Sequence, residues 1–274
     1  MNRLFSLVLG LAAALTLSFL LLPILAIFLR VPPGELIDHM RSDAAVDALR
    51  VTLKTNLIAN LLIVVVGTPA AYLIATRPFA GRSVLVTLVE LPLVLPPAVA
   101  GIGLLAAFGR VGLLGDQLDA LGISVGFTQL AVVLAVTFVA SPFYLRAAIA
   151  AFESIDPAMP AAARTLGAGP GRTFFRVVLP LAVGGLGAGW ALAFARGIGE
   201  FGATIMFAGS LQGVTQTLSL AVYEQFDVDF DTALAIGAEL VLVSAVVLFA
   251  VKLVPAWRRS TSRWITASGP SAST

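Results

Sequence analysis

Six stretches of this chain stay apolar for about twenty residues or more, the length an α-helix needs to cross the hydrocarbon core of a bilayer. They cover residues 5–29, 51–75, 84–108, 128–150, 179–207 and 232–255. The pattern predicts an all-α, polytopic membrane protein with six transmembrane helices in one membrane domain, 1–255. A polar tail, 256–274, ends in SGPSAST, a composition that predicts disorder. The first stretch follows Arg3 much as a signal peptide would. It is too long for an h-region, however, and no small-residue cleavage pattern follows before Arg30, so it is expected to remain as the first span.

The polar interruptions differ in kind. Residues 30–50 carry mixed charge and fit a short interfacial helix, with His39 as a solvated residue. Residues 77–82, RPFAGR, form a tight polar turn around Pro78 and Gly81. Residues 161–180, AAARTLGAGPGRTFFRVVLP, are of another type. Ala161 to Leu166 are good helix formers apart from Thr165, and Gly167 suits a left-handed helix cap. Arg164, Arg172 and Arg176 add charge, and Leu179-Pro180 opens the next apolar run. A polar, helical, glycine-broken segment between spans has the shape of a handle gripped by something outside the membrane.

Lys/Arg bias sets the orientation. With a cytoplasmic N-terminus, the inner segments hold Arg3, Arg77, Arg82, Arg146, Arg164, Arg172, Arg176, Lys252, Arg258, Arg259 and Arg263. The outer ones hold only Arg30, Arg41, Arg50 and Arg110. Both termini and the 161–180 segment are therefore expected in the cytoplasm.

Composition narrows the function classes. The chain is 59% hydrophobic and 12% charged, against roughly a quarter charged in soluble domains, so its solvent is lipid. A net charge of +2 without basic patches and exposed aromatics gives no nucleic-acid surface. The chain has no cysteine, and His39 is its only histidine. A thiolate or His-based metal site, a Cys nucleophile and a Ser/His/Asp triad are all out of reach. No cofactor, metal or catalytic set is expected.

Polar residues inside the spans need a reason. Lys54 and Glu239 lie near span ends and can snorkel. Glu90 precedes LPLVLPPAVAG, where Pro92, Pro96 and Pro97 each remove a backbone donor. Such a break is tolerated only against protein or a water-filled cavity, so span three either lines a path or packs on a broken neighbour. In span five, Gly185 and Gly189 form a G-x-x-x-G helix-packing pair. Arg196 and Glu200, four residues apart, share a face with Thr204 one turn on; they either neutralise each other or line a polar path. GIGEFG, residues 197–202, matches G-x-G-x-x-G. It follows no strand, which excludes a dinucleotide site.

The 161–180 segment resembles the EAA loop of ABC-importer permeases, written E-A-A, three residues, Gly, nine residues, I-x-L-P. Ala162 and Ala163 match the alanines, Gly167 the glycine, and Val177-x-Leu179-Pro180 the ending. Ala161 stands where the family has glutamate. LPLVLPPAVAGIGLL and GEFGATIMFAGSLQGVTQTLSLAVY are similar to spans three and five of molybdate-type permeases, with sulfate permeases diverging after the first part of the second motif.

The resemblance implies a type I ABC importer permease for molybdate or tungstate in the bacterial cytoplasmic membrane. It implies a second copy of the chain, two cytoplasmic ATP-binding subunits and an extracytoplasmic oxyanion-binding protein as partners. The coupling loop would span about 152–178 and rely on Ala161, Ala162, Ala163, Arg164, Gly167, Arg172, Leu179 and Pro180. The translocation path or gate would draw on Glu200, Thr204, Arg196, Pro96, Pro97, Asn56, Gln216 and Thr217. ATP hydrolysis would belong to the partner, since no Walker A pattern occurs here. A sulfate/thiosulfate permease is the nearest alternative. A secondary transporter would show internal repeats and paired broken helices, and neither stands out in the sequence.

Overall fold

The computed structural model describes residues 3–266, with side-chain environments for residues 5–250. The described chain is helical throughout and contains no strand. Helix α1, Arg3–Arg30, is apolar on all sides, and its most apolar window is 0% buried within the chain. A helix without a polar stripe meets lipid or another subunit. Helix α2, Pro33–Met40, is the short helix expected in the first loop.

Helix α3, Asp43–Thr76, is capped by Ser42, whose hydroxyl accepts from Ala45 N (3.3 Å). At 34 residues it is about 51 Å long, well beyond a core of about 30 Å, so it projects out of the membrane. Its buried residues, Ala45, Ala48, Thr52, Asn56, Ala59, Ile63 and Gly67, recur at helical spacing and face the bundle.

The third span is broken. Between helix α4, Arg82–Val94, and helix α5, Pro97–Phe108, the chain bends by 113°. Leu95 N still reaches Leu91 O (3.3 Å), but Pro96 and Pro97 have no N–H to continue the ladder. Helix α6, Gly115–Ala120, is a single turn and a half in the following loop.

Helix α7, Gln129–Glu153, is the centre of the bundle, packed by α3, α4, α5 and the helices of span five. Thr128 caps it. Small residues let its neighbours approach closely. A Cβ at Gly185 would lie 2.4 Å from the Ala151 Cβ, and one at Gly189 would lie 2.8 Å from the Ala147 Cβ. The G-x-x-x-G pair is thus the packing face it was expected to be. Tyr144 of α7 is 1% exposed, and its hydroxyl lies 2.6 Å from Thr68 Oγ1 of α3.

The segment after α7 forms helix α8, Ala158–Thr165, and helix α9, Pro170–Thr173, then a π-helical turn, Phe174–Val178. Helix α10, Leu179–Ile198, continues from it and ends in a break, after which helix α11, Gly202–Ala208, resumes. The expected fifth span therefore starts earlier and is interrupted before its end. Helix α12, Leu218–Phe226, precedes helix α13, Phe230–Thr266. Helix α13 runs past residue 255, so the first part of the expected tail is helical. Residues 267–274 lie outside the described residues.

Among the described residues, five helices are long and apolar enough to cross a membrane, and the bent pair α4 and α5 brings the number to six when it is counted as one span.

Candidate functional site

The 161–180 segment is built as an exposed bracket of two short helices and a π turn. Asp156 Oδ1 accepts from Ala158 N (2.8 Å) at the head of α8. At its tail, Ala168 N donates to Ala163 O (3.0 Å) and Gly167 N to Arg164 O (2.9 Å). This is a Schellman cap, and Gly167 takes the left-handed φ of 83° that it requires. Ala161, Ala162, Arg164, Gly167 and Arg172 are exposed, and Ala163 is half-buried. Leu166 stands out at 88% exposure although it is apolar.

The bracket joins the bundle through the π turn. Pro180 cannot donate to Arg176 O, and its ring would clash with that carbonyl. The preceding turn widens, and Leu179 N reaches Phe174 O instead. Phe174 is held in an aromatic cluster with Tyr72 of α3, at 4.8 Å between ring centroids, while Tyr72 meets Phe152 of α7 edge-on at 5.4 Å. Thr173 is buried beside them. This cluster fastens the bracket to α3 and α7. Sequence reasoning missed it, because aromatic residues inside apolar runs carry no distinguishing pattern. At the same end, Arg82 pairs with Glu153 and Arg146 Nε with Glu90 Oε1 (3.0 Å), which tie α4 to α7.

The second set of predicted residues gathers around the break between α10 and α11. Glu200 is 1% exposed. Its Oε1 accepts from Ala203 N (2.7 Å) and caps α11. Its Oε2 lies 2.7 Å from Arg196 Nη2, an ion pair close in distance but not aligned as a hydrogen bond. Ser219 Oγ donates to Glu200 O (2.6 Å) and ties the break to α12. Thr204 is fully buried, and its hydroxyl meets no partner among the described residues.

The breaks of spans three and five lie on each other. A Cβ at Gly202 would stand 2.7 Å from the Pro97 Cβ, and one at Gly101 would stand 2.6 Å from Ala203 O. The Pro92–Pro97 region thus packs on a broken neighbour through Pro97, and it also lines a cavity through Pro92, Leu93, Leu95 and Pro97. This cavity of about 100 Å³ remains beside the seam and reaches Arg196.

Asn56, expected among the donors along the path, is spent on structure. Its Nδ2 donates to Phe194 O (3.1 Å), and its Oδ1 accepts from Asn60 Nδ2 (3.0 Å). Gly197 makes this contact possible, since a Cβ there would lie 2.1 Å from Asn56 Oδ1. Gln216 is buried and donates to Glu224, leaving its Oε1 unpaired among the described residues. Thr217 Oγ1 lies 3.0 Å from Ser219 Oγ, within the same seam as Glu200 O. Lys54 reaches Gln129 Oε1 (2.8 Å) instead of snorkelling freely. His39 is half-buried, with Nδ1 2.8 Å from Thr232 Oγ1.

The family model described as the binding-protein-dependent transport system inner membrane component matches residues 63–259. The chain belongs to this family. It is a multi-pass permease of the inner-membrane, ABC-importer type.

Among curated relatives, the Mycobacterium tuberculosis molybdenum transport system permease protein ModB is 44% identical over 235 residues, covering 85% of this chain and 88% of the relative. The Escherichia coli K12 ModB is 41% identical over 183 residues, covering 66% and 80%. The sulfate transport system permease CysT of the same organism is 33% identical over 251 residues, covering 90% and 91%. Among solved structures, a bacterial alginate ABC transporter in complex with an alginate-pentasaccharide-bound periplasmic protein matches with a TM-score of 0.70 at 18% identity. That match covers 97% of this chain and 96% of the other. The MetNI methionine transporter in an inward-facing form matches at 0.60 and 21%, covering 77% and 94%. At these identities the structural matches establish the permease fold.

Proposed function

We propose that this permease forms the translocation path of an ABC importer for molybdate, with tungstate as its close chemical substitute. The observation that carries the reading is the 44% identity to the molybdenum permease of M. tuberculosis across 85% of this chain. ATP is hydrolysed in a partner subunit. Two copies of the chain pair with two ATP-binding subunits and receive the oxyanion from an extracytoplasmic binding protein. Both termini and the α8–α9 bracket face the cytoplasm, in keeping with the Lys/Arg distribution.

The geometry supports a division of labour. The bracket offers the ATPase an exposed helix with a fixed end, exposed arginines Arg164 and Arg172, and the protruding Leu166. Movement of the bracket passes through Phe174 to Tyr72 and Phe152, and so to α3 and α7. The seam of Pro97 on Gly202 and Gly101 on Ala203 makes the breaks of spans three and five move as one. Packed interfaces of this kind switch between discrete arrangements, which is what alternating access requires.

The test is uptake. The permease, its ATP-binding subunit and its binding protein are reconstituted in proteoliposomes with labelled molybdate. ATP-dependent accumulation that excess sulfate barely reduces is the expected result. Equal competition by sulfate would assign the chain to sulfate. Accumulation driven by an ion gradient without ATP would make it a secondary transporter.

A further inference from the structure

Arg196 and Glu200 are unequal partners. Glu200 is 1% exposed in its side chain, whereas Arg196 is 28% exposed. Both carboxylate oxygens are engaged, one on Ala203 N and one on Arg196. The guanidinium makes no hydrogen bond among the described residues, and Glu200 is its one charged partner. An arginine carries five N–H donors in a planar fork, so most of them are unspent.

They meet the cavity of about 100 Å³ beside the seam. Pro92, Leu93, Leu95 and Pro97 wall it on the side of the broken third span, and Val139 and Phe143 of α7 wall it on the other. Arg196 is the one charged residue on its lining. The space exceeds what one water needs several-fold, so it admits a small tetrahedral anion. Apolar walls lower the local dielectric and lengthen the reach of the single charge.

We propose that Arg196 is the pore's oxyanion-contacting residue and that Glu200 is the internal competitor that releases the ion. The inference rests on the molybdate-importer reading and names the side chain that meets the cargo. With no cargo, Glu200 neutralises Arg196. An arriving divalent oxyanion offers the fork a second, doubly charged acceptor with matching geometry. Arg196 leaves Glu200 for it, and the freed carboxylate repels the ion. Recapture of the arginine by Glu200 then expels the cargo. A site of this type is favourable enough to enter and too contested to trap, which conduction requires. Glu200 itself stays in place because Ala203 N holds its other oxygen.

The test uses the reconstituted transporter with its ATPase and loaded binding protein. The chain has no cysteine, so Arg196→Cys introduces the sole thiol on it. This variant should lose at least about tenfold in uptake, in keeping with loss of a charge-assisted contact to the oxyanion. ATPase stimulation by the loaded binding protein should persist, because the bracket is untouched; a merely structural role would lower both. Aminoethyl methanethiosulfonate, which adds a cation, should restore uptake, and methyl methanethiosulfonate, which adds none, should not. Wild-type complex treated in parallel controls for partner thiols. Equal effects of the two reagents, or wild-type uptake by the untreated variant, would overturn the inference.

If Arg196→Cys does not assemble, Glu200→Gln decides. It keeps the cap on Ala203 N and removes the competing charge, so maximal uptake should fall while loaded binding protein still drives ATP turnover. An unchanged uptake rate overturns the proposal. Wild-type vesicles that accumulate no oxyanion would instead defeat the importer reading itself.

Discussion

Gly202 at the head of α11 sits directly against Pro97 at the head of α5, so closely that a Cβ on Gly202 would stand 2.7 Å from the Pro97 Cβ and 3.1 Å from Ala98 N. The neighbouring atoms belong to a proline ring and to backbone, neither of which can swing aside. Gly202→Ala should therefore overpack the seam at a cost of about 1–3 kcal/mol and pull the two breaks apart. Thermal unfolding in detergent should begin at a lower temperature, and uptake should fall. Gly199→Ala, three residues away with nothing within 4 Å of its added Cβ, is the matched control. Equal melting of the two variants would show that the seam is not tight.

Gly167 raises the opposite case. A side chain there would meet open space, yet its φ is 83°. The strain of Gly167→Val is thus one of backbone alone, of order 1–2 kcal/mol for a non-glycine residue in left-handed conformation. The Schellman cap should unwind while the spans insert normally. The expected outcome is wild-type membrane abundance with ATPase activity that no longer responds to loaded binding protein. Gly169→Ala, also in open space but without a positive φ, should remain coupled. Normal coupling in the Gly167 variant would remove the bracket from the ATPase interface.

These two glycines also show what could be read from sequence. The need for positive φ is a property of glycine after a helix, so Gly167 was legible in a run of helix formers. The seam was not. Pro92, Pro96 and Pro97 announce a break, and glycines such as Gly199 and Gly202 weaken a helix, but nothing local says that the two breaks are stacked. That follows from packing between spans far apart in the chain. Asn56 illustrates the same boundary. Its polarity inside a span was visible, whereas its commitment to Phe194 O and Asn60 depends on which face of α10 comes opposite. Apolar length located the spans themselves because the lipid core imposes it.

Glu200 and Glu239 are both buried carboxylates on membrane spans, at 1% and 7% exposure, and they should behave differently. Glu200 caps α11 and balances Arg196. Glu200→Ala removes the cap on α11 and leaves the partly buried Arg196 without its charge partner. Glu239 Oε2 has no partner among the described residues, so Glu239→Ala deletes a group with an unmet desolvation cost. Transport should drop sharply in the first variant and little in the second. Uptake assays on the two, normalised to membrane abundance, check the order, and equal small effects would take span five off the path.

The last prediction concerns pH at the start of α13. Asp229 Oδ2 accepts the Thr232 hydroxyl (2.6 Å), and Oδ1 accepts Thr232 N (3.2 Å) and Asp231 N (3.1 Å). The Thr232 hydroxyl bond is the main cause holding this carboxyl below its ordinary value of 3.8. The Thr232 amide, the Asp231 amide and the His39 charge act in the same direction, against some desolvation. A carboxyl whose pKa is lower folded than unfolded stabilises the fold above the unfolded value, and that stability is lost as pH falls through the folded one. Because the Thr232 hydroxyl donates its hydrogen bond to Asp229, its oxygen accepts from His39 Nδ1, so α2 is fastened to α13 through the same carboxylate. Acidification below about pH 4 should therefore loosen α2 from α13 together with the cap. Asp229→Asn should lower the melting temperature at neutral pH and flatten its dependence below pH 4. Melting curves for wild type and variant across pH 3–7 check this, and parallel curves would show that Asp229 does not set the acid limb.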